Sequence, residues 1–425
     1  MKQFKVTLLT SIGSALEYYD LVIYSLLAEF ISRKYLANQD HTLDLFIVFG
    51  ILIASNLARP LGGIVFGLIG DTSGRKKVFS TSLIWMAVAT LGIGIIPAYQ
   101  HIGIWSVILL GLCRFMQNLF YGAEFPGALT ILSENTAQKR IGFHFGLLIS
   151  ATGLGVSLGS LIIYLLTKLL STDQLHAWGF RIPFLLGAST ALVGFHVRKH
   201  LPEKYKAQLS EPNNCHTTAF LTKTKKIAKN HYLTIIGLIG ISLFSACFAN
   251  FKLVLPTYLY GFYSFSLTDV YFLTSLGYVC SIFMKIAFGW LVDKITAVKL
   301  ITITTFLMIV LTIPAFMLLS TKNYWALFTF IMFSQLVTSS IVAGLFVLLP
   351  QVFPTSVRYT GVGLSYNISQ LLAAFVPWLA NYCYGVIYQP LYLAYFMIGL
   401  AVIAIISIKL LNPNKLVASN YIKEL

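Results

Sequence analysis

The chain has 425 residues, 57% hydrophobic, 14% aromatic and only 10% charged, with a mean hydropathy of +0.79. Soluble domains carry about 25% charged residues, so a water-soluble enzyme, a disordered chain and a coiled coil are excluded and a polytopic membrane protein remains. The net charge of +16 is concentrated between apolar stretches and reads as a topology signal, not as a nucleic-acid surface.

A bilayer core takes about 20 apolar residues per helix. Twelve stretches reach that length, near 7–31, 43–66, 78–97, 103–131, 141–167, 178–198, 231–256, 270–291, 299–319, 325–349, 360–384 and 389–410. The sequence MKQFKVTLLT leads into the first with no small-residue cleavage site, so no removable signal peptide is expected. Glu17 and Asp20 lie about 15–20 Å along that span, near mid-membrane. Their i, i+3 spacing puts both on one face with Gly13 and Tyr24. An ionised group there costs about 2.5–3.5 kcal/mol on insertion scales, so the pair needs partners or a wet cavity. It suits proton coupling, or else a charge network that pins the span.

The second span contains Arg59-Pro-Leu-Gly-Gly63 and runs into Gly67-Leu-Ile-Gly-Asp71-Thr-Ser-Gly74-Arg75-Lys76-Lys77. In the fourth, Arg114 reaches the depth of Glu17 and Asp20 from the opposite side, about 15 Å in. Gln117, Asn118 and Tyr121 share its face, and Gly122-Ala-Glu124 follows. The Arg114 guanidinium can pair with a carboxylate of the first span or clasp a substrate carboxylate with two donors. Glu134 and Arg140 follow this span. Gly153, Gly155 and Gly159 in the fifth span indicate close helix packing. Trp178-Gly-Phe-Arg181-Ile-Pro183 opens the sixth, and His196 and His200 at its end sit beside Arg198 and Lys199 as a solvated basic terminus.

After the polar segment 199–230, the seventh span carries Phe248, Asn250 and Lys252. The eighth carries Lys285 and ends in Gly289-Trp-Leu-Val-Asp293-Lys294. Gln335 and Thr338 lie in the tenth; Gln351, then Phe353-Pro-Thr-Ser-Val-Arg358, follow it; Tyr366, Asn367, Gln370 and Trp378 lie in the eleventh. The C-terminal half has no carboxylate inside a span, so proton handling is expected in the N-terminal half. The 15 residues after Leu410 hold about two heptads, too few for a coiled coil. Most aromatics are expected to face lipid or the interfaces. Arg181, Lys252 and Lys285 are expected to snorkel.

With the N-terminus and the even-numbered loops on one side, 21 Lys and Arg fall there and 4 on the other. This predicts cytoplasmic termini and a cytoplasmic central loop. The segment from Gly67 to Asp71 recurs at Gly289 to Asp293, 222 residues later, and Glu134…Arg140 corresponds to Gln351…Arg358. Two parallel six-helix halves are expected, 1–198 and 231–410, joined by the loop 199–230 and followed by the tail 411–425.

The loop GLIGDTSGRKK resembles that of the major facilitator superfamily, with Thr72 in place of the usual basic residue. Glu17-Tyr-Tyr-Asp20, Arg114-Phe-Met-Gln117 with Gly122-Ala-Glu124, Trp178-Gly-Phe-Arg-Ile-Pro183 and Phe353-Pro-Thr-Ser-Val-Arg358 resemble the metabolite:proton symporter family, and within it the proline/betaine transporters. The resemblance implies an all-α membrane protein of twelve helices in a six-plus-six arrangement around a central cavity. It implies a symporter of a small zwitterionic osmolyte such as proline or glycine betaine, working by alternating access. A proton symporter of organic carboxylates, of the α-ketoglutarate, citrate or shikimate type, is the alternative; a transport-inactive membrane sensor is a weaker one.

The residues then sort as follows. Proton coupling falls to Glu17 and Asp20. Solute binding falls to Arg114, Gln117, Tyr121 and Gln335, with Tyr18, Tyr19, Phe248 and Trp378 as cation–π candidates. A cytoplasmic gate takes Gly67, Asp71, Gly74, Arg75, Arg59, Glu124, Glu134, Arg140, Asp293 and Arg358. No cofactor or metal is implied: five scattered cysteines form no CxxC pair, and no P-loop is present. The expected partners are a small solute, protons and the lipid bilayer. The expected location is the cytoplasmic (inner) membrane of a bacterium.

Overall fold

The computed structural model describes residues 2–36, 47–48, 50–51, 53–189, 216–376 and 391–411, and no strand occurs among them. The first half holds α1 (Lys2–Leu26), α2 (Ala28–Tyr35), α3 (Ala58–Ser73), α4 (Arg75–Ile95), α5 (Tyr99–Ile102), α6 (Ile104–Asn135), α7 (Ile141–Leu169) and α8 (Thr172–Ala177). The second half holds α9 (His216–Tyr263), α10 (Leu267–Ile295), α11 (Ala297–Leu319), α12 (Tyr324–Gln351), α13 (Arg358–Ala373) and α14 (Leu391–Leu410). Residues 182–189 are also helical.

Nine helices among the described residues are long and apolar enough to cross a membrane. They coincide with the second to fifth, seventh to tenth and twelfth predicted spans. The first predicted span is helical as well, and Glu17 and Asp20 in its centre lower its hydropathy. The eleventh begins in α13 and runs beyond the described residues, as does the end of the sixth, 190–198. Residues 216–230, predicted as polar loop, are helical and continue into the seventh span with a kink at His231.

The chain divides into two compact units: Met1–Asn135 with Ala151–Glu211, and Thr136–Ser150 with Pro212–Leu425. In the first, α6 packs against α1, α3 and α4. The α3–α6 crossing is tight because Gly62 and Gly122 lack side chains: a Cβ on Gly62 would strike the Leu119 carbonyl, and one on Gly122 the Arg59 carbonyl. In the second unit, α12 packs on α10 and α11, and α9 packs on α13 and α14.

Phe251, Tyr258, Phe316 and Phe330 form a T-shaped aromatic series inside the second unit. Buried aromatics outnumber exposed ones among the described residues. A ring buries 150–250 Å2 and fills the space between helices. Trp105, Phe283, Phe306 and Trp325 remain more than half exposed, as a lipid-facing surface requires.

The repeat extends to the backbone. Gly74, between α3 and α4, has φ +105°, and Thr296, 222 residues on between α10 and α11, has φ +74°. The hinge geometry is conserved between the halves although its residue is not.

Candidate functional site

The most polar interior of the first unit lies where α1, α4 and α6 meet. Glu17, Asp20, Arg114, Gln117 and Asn118 are all buried, at 0–4% exposure, in the middle of apolar helices. Together with Met86 and Tyr121 they line a cavity of about 10 Å3, the space of at most one water molecule. The side chains close on each other.

Their hydrogen bonds run in one direction. Arg114 Nη1 donates to Gln117 Oε1 at 2.8 Å. This orients the amide so that Nε2 donates to Thr90 Oγ1 at 2.7 Å. The Thr90 hydroxyl then has two acceptors for its one proton: Met86 O at 3.0 Å and Asp20 Oδ2 at 3.5 Å. Asp20 Oδ1 is buried without a hydrogen-bond partner among the described residues.

A second chain lies beside it. Arg59 Nε donates to Asn118 Oδ1 at 2.7 Å, and Asn118 Nδ2 donates to Ser55 Oγ at 2.8 Å. Both guanidinium groups rest on rings, Arg114 over Tyr24 and Arg59 over Tyr121, each 4.4 Å from the centroid. Cation–π contact offsets part of the cost of burying these charges. Tyr18 packs edge-on against Tyr121 and Phe125, while Tyr19 donates to Pro183 O at 2.8 Å.

The residues assigned from sequence to one gate separate into three places. Arg75 donates to Asp71 Oδ1 at 2.9 Å and forms an ion pair with Glu134, tying the ends of α3, α4 and α6 together; Gly67 is buried in α3. In the second unit, Asp293 accepts from the Gly142 and Phe143 N–H groups at 2.6 and 2.9 Å, so its carboxylate caps the N-terminus of α7. Arg140 is exposed, and Arg358 donates to Phe353 O at 3.2 Å.

Arg59 joins the buried layer of Asn118 and Tyr121. Glu124 is wholly buried and accepts from Ser82 Oγ at 2.5 Å. Thr90, Met86, Ser55 and Ser82 were not foreseen from sequence. A Thr or Ser in an apolar span satisfies its hydroxyl on its own helix, so it carries no signal of its own.

Among the solute candidates of the second half, Gln335 accepts a hydrogen bond from Lys252 Nζ at 2.8 Å. Lys252 is 7% exposed, which corrects the expectation that it snorkels: α10 and α12 enclose it. Phe248 packs on Phe251 in the core of this unit. Trp378 lies outside the described residues.

Apolar helices of membrane length enclosing charged and polar side chains, in two helical units bearing the same loop motif, define a multi-pass membrane protein of the transporter class. Residues 10–377 and, overlapping them, 238–420 match the Major Facilitator Superfamily, and the chain belongs to that family. It is 32% identical over 417 residues, covering 96% of this chain and 87% of the other, to a Staphylococcus haemolyticus protein assigned as a proline/betaine transporter. It is 26% identical over 408 residues, 93% of this chain and 81% of the other, to a glycine betaine/proline/ectoine/pipecolic acid transporter of Dickeya dadantii. Among solved structures it is similar to a proton:xylose symporter bound to 6-bromo-6-deoxy-D-glucose, with a TM-score of 0.75 over 96% of this chain and 94% of that one, at 15% identity.

Proposed function

We propose that this protein is a proton-coupled symporter that imports small zwitterionic osmolytes such as proline or glycine betaine by alternating access. The observation that carries the reading is the buried chain from Arg114 through Gln117 and Thr90 to Asp20. It links a cation suited to a solute carboxylate with a carboxylate suited to a proton. Names of relatives that pair proline with glycine betaine support the substrate class.

Glu17 and Asp20 are the proposed proton carriers, and Arg114, Gln117 and Tyr121 the proposed solute contacts. When Asp20 is ionised, the Thr90 proton turns to it. When Asp20 is protonated, Thr90 turns back to the Met86 carbonyl, loosening its hold on Gln117 and hence on Arg114. A solute carboxylate competing for Arg114 is thereby coupled to the proton on Asp20. The Asp71–Arg75–Glu134 cluster is the proposed cytoplasmic gate. The bias of basic residues supports a proposed topology with both termini in the cytoplasm, in a bacterial cytoplasmic membrane.

Uptake of labelled proline, glycine betaine and α-ketoglutarate by proteoliposomes under an imposed pH gradient tests this reading. Gradient-driven accumulation of the two zwitterions, abolished by a protonophore, is expected. Accumulation of α-ketoglutarate alone would replace the osmolyte by a carboxylate substrate.

A further inference from the structure

Arg114 and Arg75, buried in the first unit, have acidic neighbours; the buried Lys252 of the second unit has none among the described residues of that unit. Arg114 shares its cavity with Glu17 and Asp20. Lys252, on α9, is also buried, at 7% exposure, yet its hydrogen-bond partner among the described residues is the neutral amide of Gln335, on α12. The Tyr278 ring of α10 lies 5.5 Å from Nζ. Residues 216–411 contain only two acidic side chains. Asp269 is exposed at the start of α10, and Asp293 is committed to the N-terminus of α7. The other charge acting on Lys252 is a second cation, Lys285.

An ammonium held away from water, beside another cation and without a carboxylate, is costly unless something anionic visits it. Gln335 accepts one of its three protons, leaving two donors for a guest. Gly277 lets α10 approach α12 closely: a Cβ there would stand 3.0 Å from Ile331 and 3.1 Å from the Gln335 side chain. Thr274, one turn from Tyr278 on α10, is 8% exposed and keeps Oγ1 without a hydrogen-bond partner among the described residues.

We infer that Lys252 is the carboxylate anchor of the second unit: its ammonium, steadied by Gln335 and roofed by Tyr278, takes the carboxylate of the transported solute in turn with Arg114, at a different stage of the cycle. The inference rests on the osmolyte reading for the solute's identity and adds to it the group that selects for a carboxylate. Charge-assisted hydrogen bonds of this kind change affinity by about 10- to 100-fold.

The test is equilibrium binding of labelled glycine betaine to the full-length protein in detergent, with choline as competitor, since choline carries a hydroxymethyl group where betaine has its carboxylate. Lys252→Gln is expected to weaken betaine binding about 30-fold while leaving choline within about 3-fold, so that the preference for betaine collapses. Lys252→Arg, which keeps the charge, should restore most of that preference. Lys252→Met provides the stability control: a lysine kept for binding can be replaced by an apolar side chain with the melting temperature unchanged or raised.

Unchanged betaine affinity and preference in Lys252→Gln, or a lowered melting temperature with normal affinity in Lys252→Met, would overturn the assignment. Wild-type protein that binds α-ketoglutarate but neither betaine nor proline would displace the osmolyte reading; a loss of that binding in Lys252→Gln would still uphold the lysine. Wild-type protein that binds none of the three overturns both.

Discussion

At Asp20 the relevant energies are those of single hydrogen bonds. Its Oδ2 is 3.5 Å from the Thr90 hydroxyl, a long contact that shortens only if Thr90 abandons Met86 O. Asp20→Asn is therefore expected to abolish pH-gradient-driven uptake while sparing part of solute exchange, and Glu17→Gln to behave similarly; counterflow and net uptake in the same proteoliposomes distinguish the two. Thr90→Val keeps the volume but removes the link between Gln117 and Asp20. It should lower the number of protons moved per solute more than it lowers solute affinity, by simultaneous measurement of proton and solute flux. Arg114→Lys loses both the planar fork and the stacking on Tyr24, and should weaken solute binding about tenfold in the assay used for Lys252. Glu17, Asp20 and Arg114 were legible in sequence because charge is expensive in an apolar span and stands out there, and Gln117 because it shares the Arg114 face. Thr90 was not, because its hydroxyl can always bond to the carbonyl four residues back.

Among the elements, the two copies of the loop motif use one backbone and different chemistry. Shifting Arg75 by 222 residues lands on Ala297. In the first copy Asp71 has an arginine one turn away and binds it. In the second the arginine is missing, and Asp293 turns to the N–H groups of α7. Asp293→Ala should therefore lower stability by about 1–2 kcal/mol through loss of a cap, read as a reduced melting temperature in detergent. The hinge residues give a matched pair of predictions. Gly74→Leu forces a side chain into φ +105° and should cost about 1–3 kcal/mol. Thr296→Gly relieves the same conformation at φ +74° and should raise the melting temperature. The repeat itself was readable from spacing. The partners of its two aspartates were not, since they come from helices distant in sequence.

For the molecule as a whole, orientation follows from where the basic residues lie. Single cysteines at Lys139 and Lys322, both exposed, in a background with the native cysteines replaced by serine, should react with an impermeant maleimide from opposite sides of the membrane. Labelling of Lys322→Cys in intact cells, and of Lys139→Cys only after permeabilisation, is the expected result; the reverse would invert the topology. The division into units was read from sequence at the polar segment after residue 198. In the compact units Thr136–Ser150 goes with the second, where Asp293 caps α7 and Gly142 and Gly289 leave no room for side chains between α7 and α10.

Composition alone made this a membrane protein, because so few charges cannot cover a water-facing surface. Helix length, loop charge and the 222-residue repeat are one-dimensional quantities, fixed by bilayer thickness and backbone rise, so they were readable along the chain. The wiring of the buried groups was decided only in three dimensions. Burial forces each polar atom to find a partner wherever packing supplies one. That is why Arg59 went to Asn118, Glu124 to Ser82, and Lys252 to Gln335 rather than to the membrane surface.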